Sequence, residues 1–270
     1  MKKSQNTIRT DLKSSLPAFA AVALFLLFWE LLCLSGLVPA YMLPSPLDVV
    51  RALWHERQLL LEHALITLKE AAIGLILGVL IGVAFAALMD SFSILYRAVY
   101  PILIMTQTIP SVAIAPLLVL WFGYEMTPKI ILVILATFFP VTVGVLEGFH
   151  SADRDAIALL RSMGAGRWKI FRYLKVPSAL PQFFSGLRIA AAYSVVGAVI
   201  SEWLGGFGGL GVYMTRVKKA FAFDKMFAVI ALISFLSLLL MRLVDAAEQL
   251  FMPYRFLGRA EADRKGQGSA

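Results

Sequence analysis

Two groups of polar residues, one of them with a proline, interrupt apolar stretches of this sequence. They comprise Thr106, Gln107, Thr108, Pro110 and Ser111 in the first group, and Ser194, Ser201 and Glu202 in the second. Hydroxyl, amide and carboxyl groups inside an apolar segment usually face a cavity or a neighbouring helix. Two interpretations therefore stay open: the groups line a path for a small polar solute, or they hold helices together by hydrogen bonds.

Other kinds of chemistry are not indicated. No G-x-x-x-x-G-K-[ST] pattern occurs, so the chain is not expected to hydrolyse ATP. The G-x-G-x-x-G pattern from Gly206 to Gly211 follows an apolar run and not a strand, which favours a tight turn over a dinucleotide site. The three histidines, His55, His63 and His150, are not paired at ligand spacing. We therefore predict neither a metal nor a cofactor.

The composition points to a membrane. Of the 270 residues 60% are hydrophobic, and the mean hydropathy is +0.80. A soluble domain is about 45–50% apolar, so the surplus apolar surface indicates contact with lipid. The net charge of +8 then fits basic residues that flank membrane spans better than it fits nucleic-acid binding. The only cysteine is Cys33, which excludes an internal disulfide.

The apolar runs predict an all-α integral membrane protein with about six spans. The first run is interpreted as a retained span and not as a signal peptide, because it is long and contains Glu30. On the second span, Gly74, Gly78 and Gly82 would permit close helix packing. The predicted spans are Leu16–Val38, Glu70–Met89, Val99–Phe122, Pro128–Leu146, Leu187–Leu204 and Met226–Ala246.

Basic residues predict the orientation. With both termini in the cytoplasm, 17 of the 25 lysines and arginines lie on the inside and 8 on the outside. The segment 147–186 decides the orientation, since it carries six of them: Arg154, Arg161, Arg167, Lys169, Arg172 and Lys175. Residues 1–15 and 255–270 are then cytoplasmic tails, and the second tail is polar enough to be disordered.

The segment 147–186 predicts a helical hairpin. Ser151 could cap a first helix, in which Ala156, Leu159, Leu160 and Met163 form an apolar face. Gly164 would end this helix in a left-handed conformation. A second short helix, Arg167–Lys175, would present Trp168 and end before Pro177. From periodicity alone, the hairpin could lie on lipid or dock on a partner protein.

Here the sequence resembles a family. Residues 158–164 read Ala-Leu-Leu-Arg-Ser-Met-Gly, and residues 176–181 read Val-Pro-Ser-Ala-Leu-Pro. This spacing is similar to the EAA loop of ABC importer permeases, the binding-protein-dependent inner-membrane components. Ala158 stands where the family has glutamate, and Val176 replaces the usual leucine.

The resemblance implies a bundle like that of type I importer permeases, spanning residues 16–254, in the bacterial plasma (inner) membrane. It also implies a separate ABC ATPase subunit, a periplasmic or lipid-anchored substrate-binding protein, and pairing of the permease as a homodimer, in which a related second permease chain could replace one copy. The hairpin would dock on the ATPase through Ala158, Leu159, Arg161, Ser162, Met163, Gly164, Ala165, Trp168 and Pro177.

The substrate is indicated only by further resemblance. Leu-Pro-Ser-Pro at 43–46, the segment at Pro110 and Ser-Glu-Trp-Leu-Gly at 201–205 resemble the branch that serves sulfonates, taurine, nitrate, riboflavin and thiamine precursors. The run from Glu202 to Met214 is most similar to permeases for a pyrimidine precursor of thiamine. A secondary transporter or channel is the alternative from another class; such proteins usually need intramembrane charges or an inverted repeat.

Overall fold

The computed structural model describes residues 3–39 and 42–253, and no strand occurs among them. The chain is helical because an apolar segment in lipid must form its backbone hydrogen bonds within itself. The helices are α1 (Lys3–Leu34), α2 (Pro46–His55), α3 (Arg57–Ser91), α4 (Ser93–Thr106), α5 (Ser111–Phe122), α6 (Met126–His150), α7 (Arg154–Ser162), α8 (Arg167–Ile170), α9 (Val176–Trp203), α10 (Leu210–Lys219) and α11 (Phe223–Phe251). The predicted tail 255–270 lies outside the described residues.

Within the described ranges, four helices are long and apolar enough to cross a bilayer: α3, α6, the helix Arg167–Trp203 and α11. The pair α4 and α5 would make a fifth span, although the two helices are bent by 97°. The apolar part of α1, Phe19–Leu34, is shorter. Each of the six predicted segments thus lies mostly in helix, and the all-helical membrane fold is confirmed.

The predicted starts of two spans were too late. Helix α3 begins at Arg57 and not at Glu70, and the fifth span begins well before Leu187. Hydropathy marks the most uniformly apolar part of a helix, so the turns of mixed polar and apolar residues at the start of both helices were missed. The predicted third span also differs, since α4 ends at Thr106 and α5 starts anew at Ser111.

The predicted end of a short helix at Pro177 was wrong. The chain is helical without interruption from Arg167 to Trp203. A π-helical turn at Phe171–Lys175 explains this, because the N–H of Val176 bonds to the carbonyl of Phe171, five residues back. The wider turn shifts the hydrogen-bond register, and Pro177 then lies in the first turn of α9, where its missing N–H costs little.

The chain divides into two compact units. The first comprises residues 1–61 and 214–231. Its described core is small: Val49 and Ala52 of α2 and Ala228 of α11, with Trp29, Leu53 and Phe227 packed around them. The indole N–H of Trp29 donates to the carbonyl of Pro44 (3.1 Å), which fixes the segment that enters α2.

The second unit comprises residues 62–213 and 232–270. Its core forms where α6 and α9 approach closely. A Cβ added at Gly144 would lie 2.7 Å from the carbonyl oxygen of Gln182, and one at Gly186 would collide with Pro140. The predicted glycine ridge of α3 behaves in the same way, because Gly74 and Gly78 pack directly against α6. Glycines therefore set the helix spacing in this unit.

Candidate functional site

The predicted docking hairpin begins with a capped helix. Asp153 is the N-cap residue of α7, and its carboxylate accepts the N–H of Asp155 at 2.9 Å. Ser151, the predicted cap, instead ends α6, and its hydroxyl donates to the carbonyl of Gly148 (2.8 Å). An acidic side chain at this end also matches the helix dipole.

Helix α7 ends in a Schellman motif. The N–H of Ala165 donates to the carbonyl of Leu160, and the N–H of Gly164 donates to that of Arg161, both at 2.9 Å. Gly164 has φ = +80°, as predicted for a left-handed helix end. No atom lies within 4 Å of a Cβ added there, so only the backbone conformation requires glycine within this chain.

The hairpin exposes its apolar side chains. Leu159, Met163 and Trp168 are 62%, 74% and 72% exposed, and α7 has no buried residue. The ring of Trp168 stacks on Phe171, which in turn contacts Phe149 of the core. An aromatic chain thus connects the exposed tip to α6.

Most of the predicted docking residues come together in this hairpin. They occupy α7 and the turn that leads into α8: Ala158, Leu159, Arg161, Ser162, Met163, Gly164, Ala165 and Trp168. Pro177 does not belong to this cluster, because it lies about 13 Å along the helix from Trp168. Proline there shapes the start of α9 and is not placed at the tip.

The first polar group lies at the break between α4 and α5. Residues 106–110 are all exposed. The hydroxyls of Thr106 and Thr108 donate to the carbonyls of Leu103 (2.6 Å) and Met105 (2.8 Å), so each keeps oxygen lone pairs for an external donor. Pro110 is the N-cap residue of α5, and the N–H of Ile109 bonds to the carbonyl of Thr106. The break therefore presents uncharged hydrogen-bonding groups on the surface of the second unit.

The second polar group is placed differently. Ser194, Ser201 and Glu202 are at most 1% exposed. The hydroxyl of Ser194 donates to the carbonyl of Ala191 in its own helix (2.8 Å). In this conformation these side chains face the interior of the unit, whereas the sequence predicts that they face the first group across a path. Of the three, Glu202 shows the alternative interpretation, interhelical hydrogen bonding, since it bonds to Thr67 of α3 and Gly211 of α10.

Glu202 belongs to a buried network that caps α10. The N–H groups of Gly209, Leu210 and Gly211 lie at the start of that helix and have no partner within it. Gly209 donates to Nδ1 of His63 (2.9 Å), Leu210 to the hydroxyl of Thr67 (2.8 Å), and Gly211 to Oε2 of Glu202 (2.6 Å). The hydroxyl of Thr67 donates in turn to Oε1 of Glu202 (2.8 Å). Two other helices thus supply the cap.

An ion pair extends this buried network. Nζ of Lys129 lies 2.7 Å from Oε1 of Glu70, and both side chains are almost fully buried. Lys129 also approaches the loop at Gly206, where φ = +151° favours glycine and an added Cβ would lie 3.0 Å from Nζ.

The sequence analysis missed this network, although a signal existed. His63, Thr67 and Glu70 recur at i, i+4 and i+7 and so share one face of α3. The predicted span started at Glu70, which hid the stripe. Within the described ranges, no group of three His, Cys, Asp or Glu side chains is placed to hold a metal ion.

Comparison with known proteins finds a protein family that matches this chain. Residues 74–252 match the family described as "Binding-protein-dependent transport system inner membrane component". The formylaminopyrimidine transport permease protein ThiX of Halalkalibacterium halodurans is 40% identical over 80% of this chain and 86% of its own length. The riboflavin transport system permease protein RibX of Chloroflexus aurantiacus is 34% identical over 85% of this chain and 86% of its own length.

A solved structure shares the fold. A chain of the MetNI methionine ABC transporter, in an inward-facing conformation, is similar with a TM-score of 0.64. The match covers 72% of this chain and 96% of that chain at 20% sequence identity. At this identity the likeness concerns the fold alone.

Proposed function

Since this chain belongs to the family of binding-protein-dependent transport system inner membrane components, and so serves as the permease of an ABC importer, we propose that it carries a small polar nutrient and couples its passage to a separate ATPase through α7. The nutrient that fits best is a pyrimidine precursor of thiamine. ATP hydrolysis then belongs to the ATPase partner, and a substrate-binding protein delivers the cargo.

The observation that carries the coupling role is the exposed tip of the hairpin. Leu159, Met163 and Trp168 are large apolar side chains that the unit itself does not cover. Exposed arginines surround them, among them Arg161 and Arg167. Apolar anchors with an arginine rim are typical of the energetic centre of a protein interface. Since α7 is capped at both ends, it can enter a groove on the ATPase as a preformed helix.

The break between α4 and α5 supports a path for an uncharged solute. Thr106, Gln107, Thr108 and Ser111 offer hydroxyl and amide groups without a formal charge. An importer permease must release its cargo quickly, and a few neutral hydrogen bonds hold a solute weakly. Because these groups lie on the surface of the unit, a second copy of the chain would be needed to enclose them. We therefore include a homodimer, bound to two ATPase subunits, in the proposal.

The substrate class rests on the relatives. One relative that covers most of this chain is named for formylaminopyrimidine and another for riboflavin, and both cargoes are planar nitrogen heterocycles. Neutral donors and acceptors at the break suit such rings better than they suit sulfonate or nitrate, which favour cationic partners.

The orientation is part of the proposal. Residues 147–186 and both termini face the cytoplasm, where the ATPase resides. The six basic residues of that segment support this side.

A pair of glycine substitutions tests the coupling role. Gly164 has φ = +80°, whereas Gly166 has φ = −71°, and an added Cβ meets no atom within 4 Å at either position. Gly164→Val should strain the turn by about 1–3 kcal/mol and tilt the docking tip. Gly166→Val introduces the same side chain two residues away without this strain.

The measurement is ATP hydrolysis coupled to transport in proteoliposomes, with the amount of bound ATPase subunit determined in parallel. We expect Gly164→Val to uncouple hydrolysis from transport or to release the ATPase, while membrane insertion persists and Gly166→Val stays close to wild type. Ala158→Glu, which restores the family residue, should be tolerated. If Gly164→Val supports wild-type transport-linked hydrolysis, α7 is not the coupling element. Wild-type transport without any ATPase would indicate a secondary transporter.

A further inference from the structure

The outward-facing side of the proposed topology carries an unexpected concentration of positive charge. Six of the eight basic residues assigned to the outside belong to the first unit: Arg51, Arg57, Arg216, Lys218, Lys219 and Lys225. Basic residues near span ends oppose export of a loop, so this placement works against the topology signal. Basic residues that are present on the outside despite this tendency indicate a role other than setting the orientation of the chain.

Phe221 stands out in the same unit. Helix α10 ends in a Schellman motif, in which the N–H of Ala222 donates to the carbonyl of Val217 (3.0 Å) and that of Phe221 to the carbonyl of Lys218 (3.1 Å). Phe221 occupies the left-handed position with φ = +56°, and no other described residue besides glycine has a positive φ. Gly164 fills the equivalent position of α7. A left-handed conformation brings Cβ close to the following carbonyl oxygen, a strain that glycine avoids.

Contacts of the Phe221 ring within the unit do not compensate for this strain. The ring of Phe221 is 76% exposed and touches Phe223 at its edge, with ring centres 6.3 Å apart. A large aromatic side chain that is strained and left uncovered is a feature of binding sites, because a partner can bury it.

Phe221 borders a cavity of about 540 Å³. One wall is the polar face of α2, with Asp48, Arg51 and His55, and the other is formed by residues 221–225. The cations on the cavity wall alternate with carboxylates: Arg51 pairs with Asp48 (3.4 Å), and Lys225 pairs with Glu56. Lys218 and Lys219 lie exposed beside the cavity, two or three residues before Phe221.

We propose that this surface, formed by Phe221, the cavity beside it and the exposed Arg51, Lys218 and Lys219, binds an acidic face of the substrate-binding protein. The inference rests on the proposed function and names a surface for its outer partner. Phe221 is the apolar anchor, and the basic residues steer and orient the partner. A protein fits better than an anionic lipid, because Asp48, Glu56 and Asp224 around the cavity would repel a phosphate group but can pair with cations of a protein surface.

Helix α2 supports an aqueous location for the cavity. Leu47, Val50 and Trp54 form an exposed apolar face that is turned about 100° around the helix from Asp48, Arg51 and His55 of the cavity wall. Such a face lies in the interfacial region of a membrane. The polar face that lines the cavity is then turned away from lipid, towards water.

The test uses the complete importer in nanodiscs and the binding protein that stimulates ATP hydrolysis by the wild-type complex. Phe221→Gly removes the ring and relieves the strain, whereas Phe221→Leu keeps an apolar side chain in the strained position. We expect the glycine variant to be at least as stable to heat as wild type, yet to need about tenfold more binding protein for half-maximal stimulation. The leucine variant should need a much smaller increase in the concentration of binding protein. If Phe221 had a purely structural role, the glycine variant would be stimulated by the binding protein at least as well as the leucine variant.

Charge reversal gives the second arm. Lys218→Glu with Lys219→Glu should raise the half-saturating concentration at low salt and flatten its dependence on ionic strength, while unstimulated hydrolysis stays unchanged. A cysteine in place of Lys218 should be labelled from outside intact cells.

The outcomes separate the two proposals. If no binding protein stimulates the wild-type complex, the proposed function fails and this inference fails with it. If stimulation of the wild type is normal but the glycine and charge variants match it, only the docking surface is wrong. Unchanged half-saturation together with a new dependence on phosphatidylglycerol in the nanodisc would assign the surface to lipid and overturn the proposal.

Discussion

The break at Thr106–Ser111 and the network around Glu202 use polar side chains in opposite ways. At the break the hydroxyls of Thr106 and Thr108 donate to carbonyls three residues away, the hydroxyl of Thr106 also accepts from Nε2 of the adjacent Gln107 (3.4 Å), and the segment is exposed. Around Glu202 the bonds join residues far apart in the chain, such as Thr67 and Leu210, and the groups are buried. The first arrangement leaves polar groups available to a ligand, and the second uses them to fix the protein.

The difference predicts which property each region controls. Removing a group from the buried network leaves a donor, an acceptor or a charge without its partner in a medium of low dielectric, so stability should fall. Removing a group from the break leaves solvent or another chain to compensate, so stability should hold while transport changes. Substitutions in the two regions should therefore separate stability from transport.

The largest effect is expected at Lys129. Lys129→Met leaves the carboxylate of Glu70 buried without its cation, which should lower the free energy of unfolding by about 3–5 kcal/mol. Glu70→Gln in the same chain removes the stranded charge and should recover most of the loss. Denaturant unfolding of the purified chain in detergent measures both. A double variant no more stable than Lys129→Met would show that the two side chains are not energetically coupled.

An intermediate effect is expected at Thr67. Thr67→Val keeps the shape but leaves the N–H of Leu210 and one oxygen of Glu202 without the hydroxyl, at a cost of about 1–3 kcal/mol. Thr67→Ser keeps the hydroxyl and serves as the matched control. Hydrogen exchange should accelerate at the first turn of α10 in the valine variant alone. Equal exchange in both variants would mean that the cap is supplied in another way.

The exposed break and the buried network also differ in how far the sequence could predict them. Apolar runs and basic flanks located the spans, and the family comparison confirms the importer permease. The left-handed end at Gly164 followed from local turn chemistry, which depends on a few neighbouring residues. The polar stripe of α3 was visible at i, i+4 and i+7, but its partners Lys129, Glu202 and the loop at Gly209 are distant in sequence, so tertiary structure was needed to connect them.

Two features were inaccessible to sequence patterns for physical reasons. The π-helical turn before Pro177 arises from a shift in hydrogen-bond register, and no single residue type predicts such a shift. The strained position of Phe221 breaks the rule that favours glycine at a Schellman end, so local preference predicts the opposite of what the chain adopts there.

The smallest effect on stability is expected at the break itself. Replacing Thr106, Thr108 and Ser111 by leucine removes three hydroxyls, of which those of Thr106 and Thr108 bond only to their own turn, so the free energy of unfolding should change by no more than about 0.5 kcal/mol for each substitution. Transport should nevertheless fall, because a polar solute loses its acceptors at the point where the path would narrow.

Ser91→Leu is the matched control, since its exposed hydroxyl likewise bonds to its own helix, at the carbonyl of Ala87 (2.7 Å), but lies away from the break. Uptake of labelled substrate and unstimulated ATP hydrolysis should be measured together: the triple variant should lose uptake and keep hydrolysis, and Ser91→Leu should keep both. Wild-type uptake by the triple variant would place the path elsewhere and would leave the break, like the network, as a packing element.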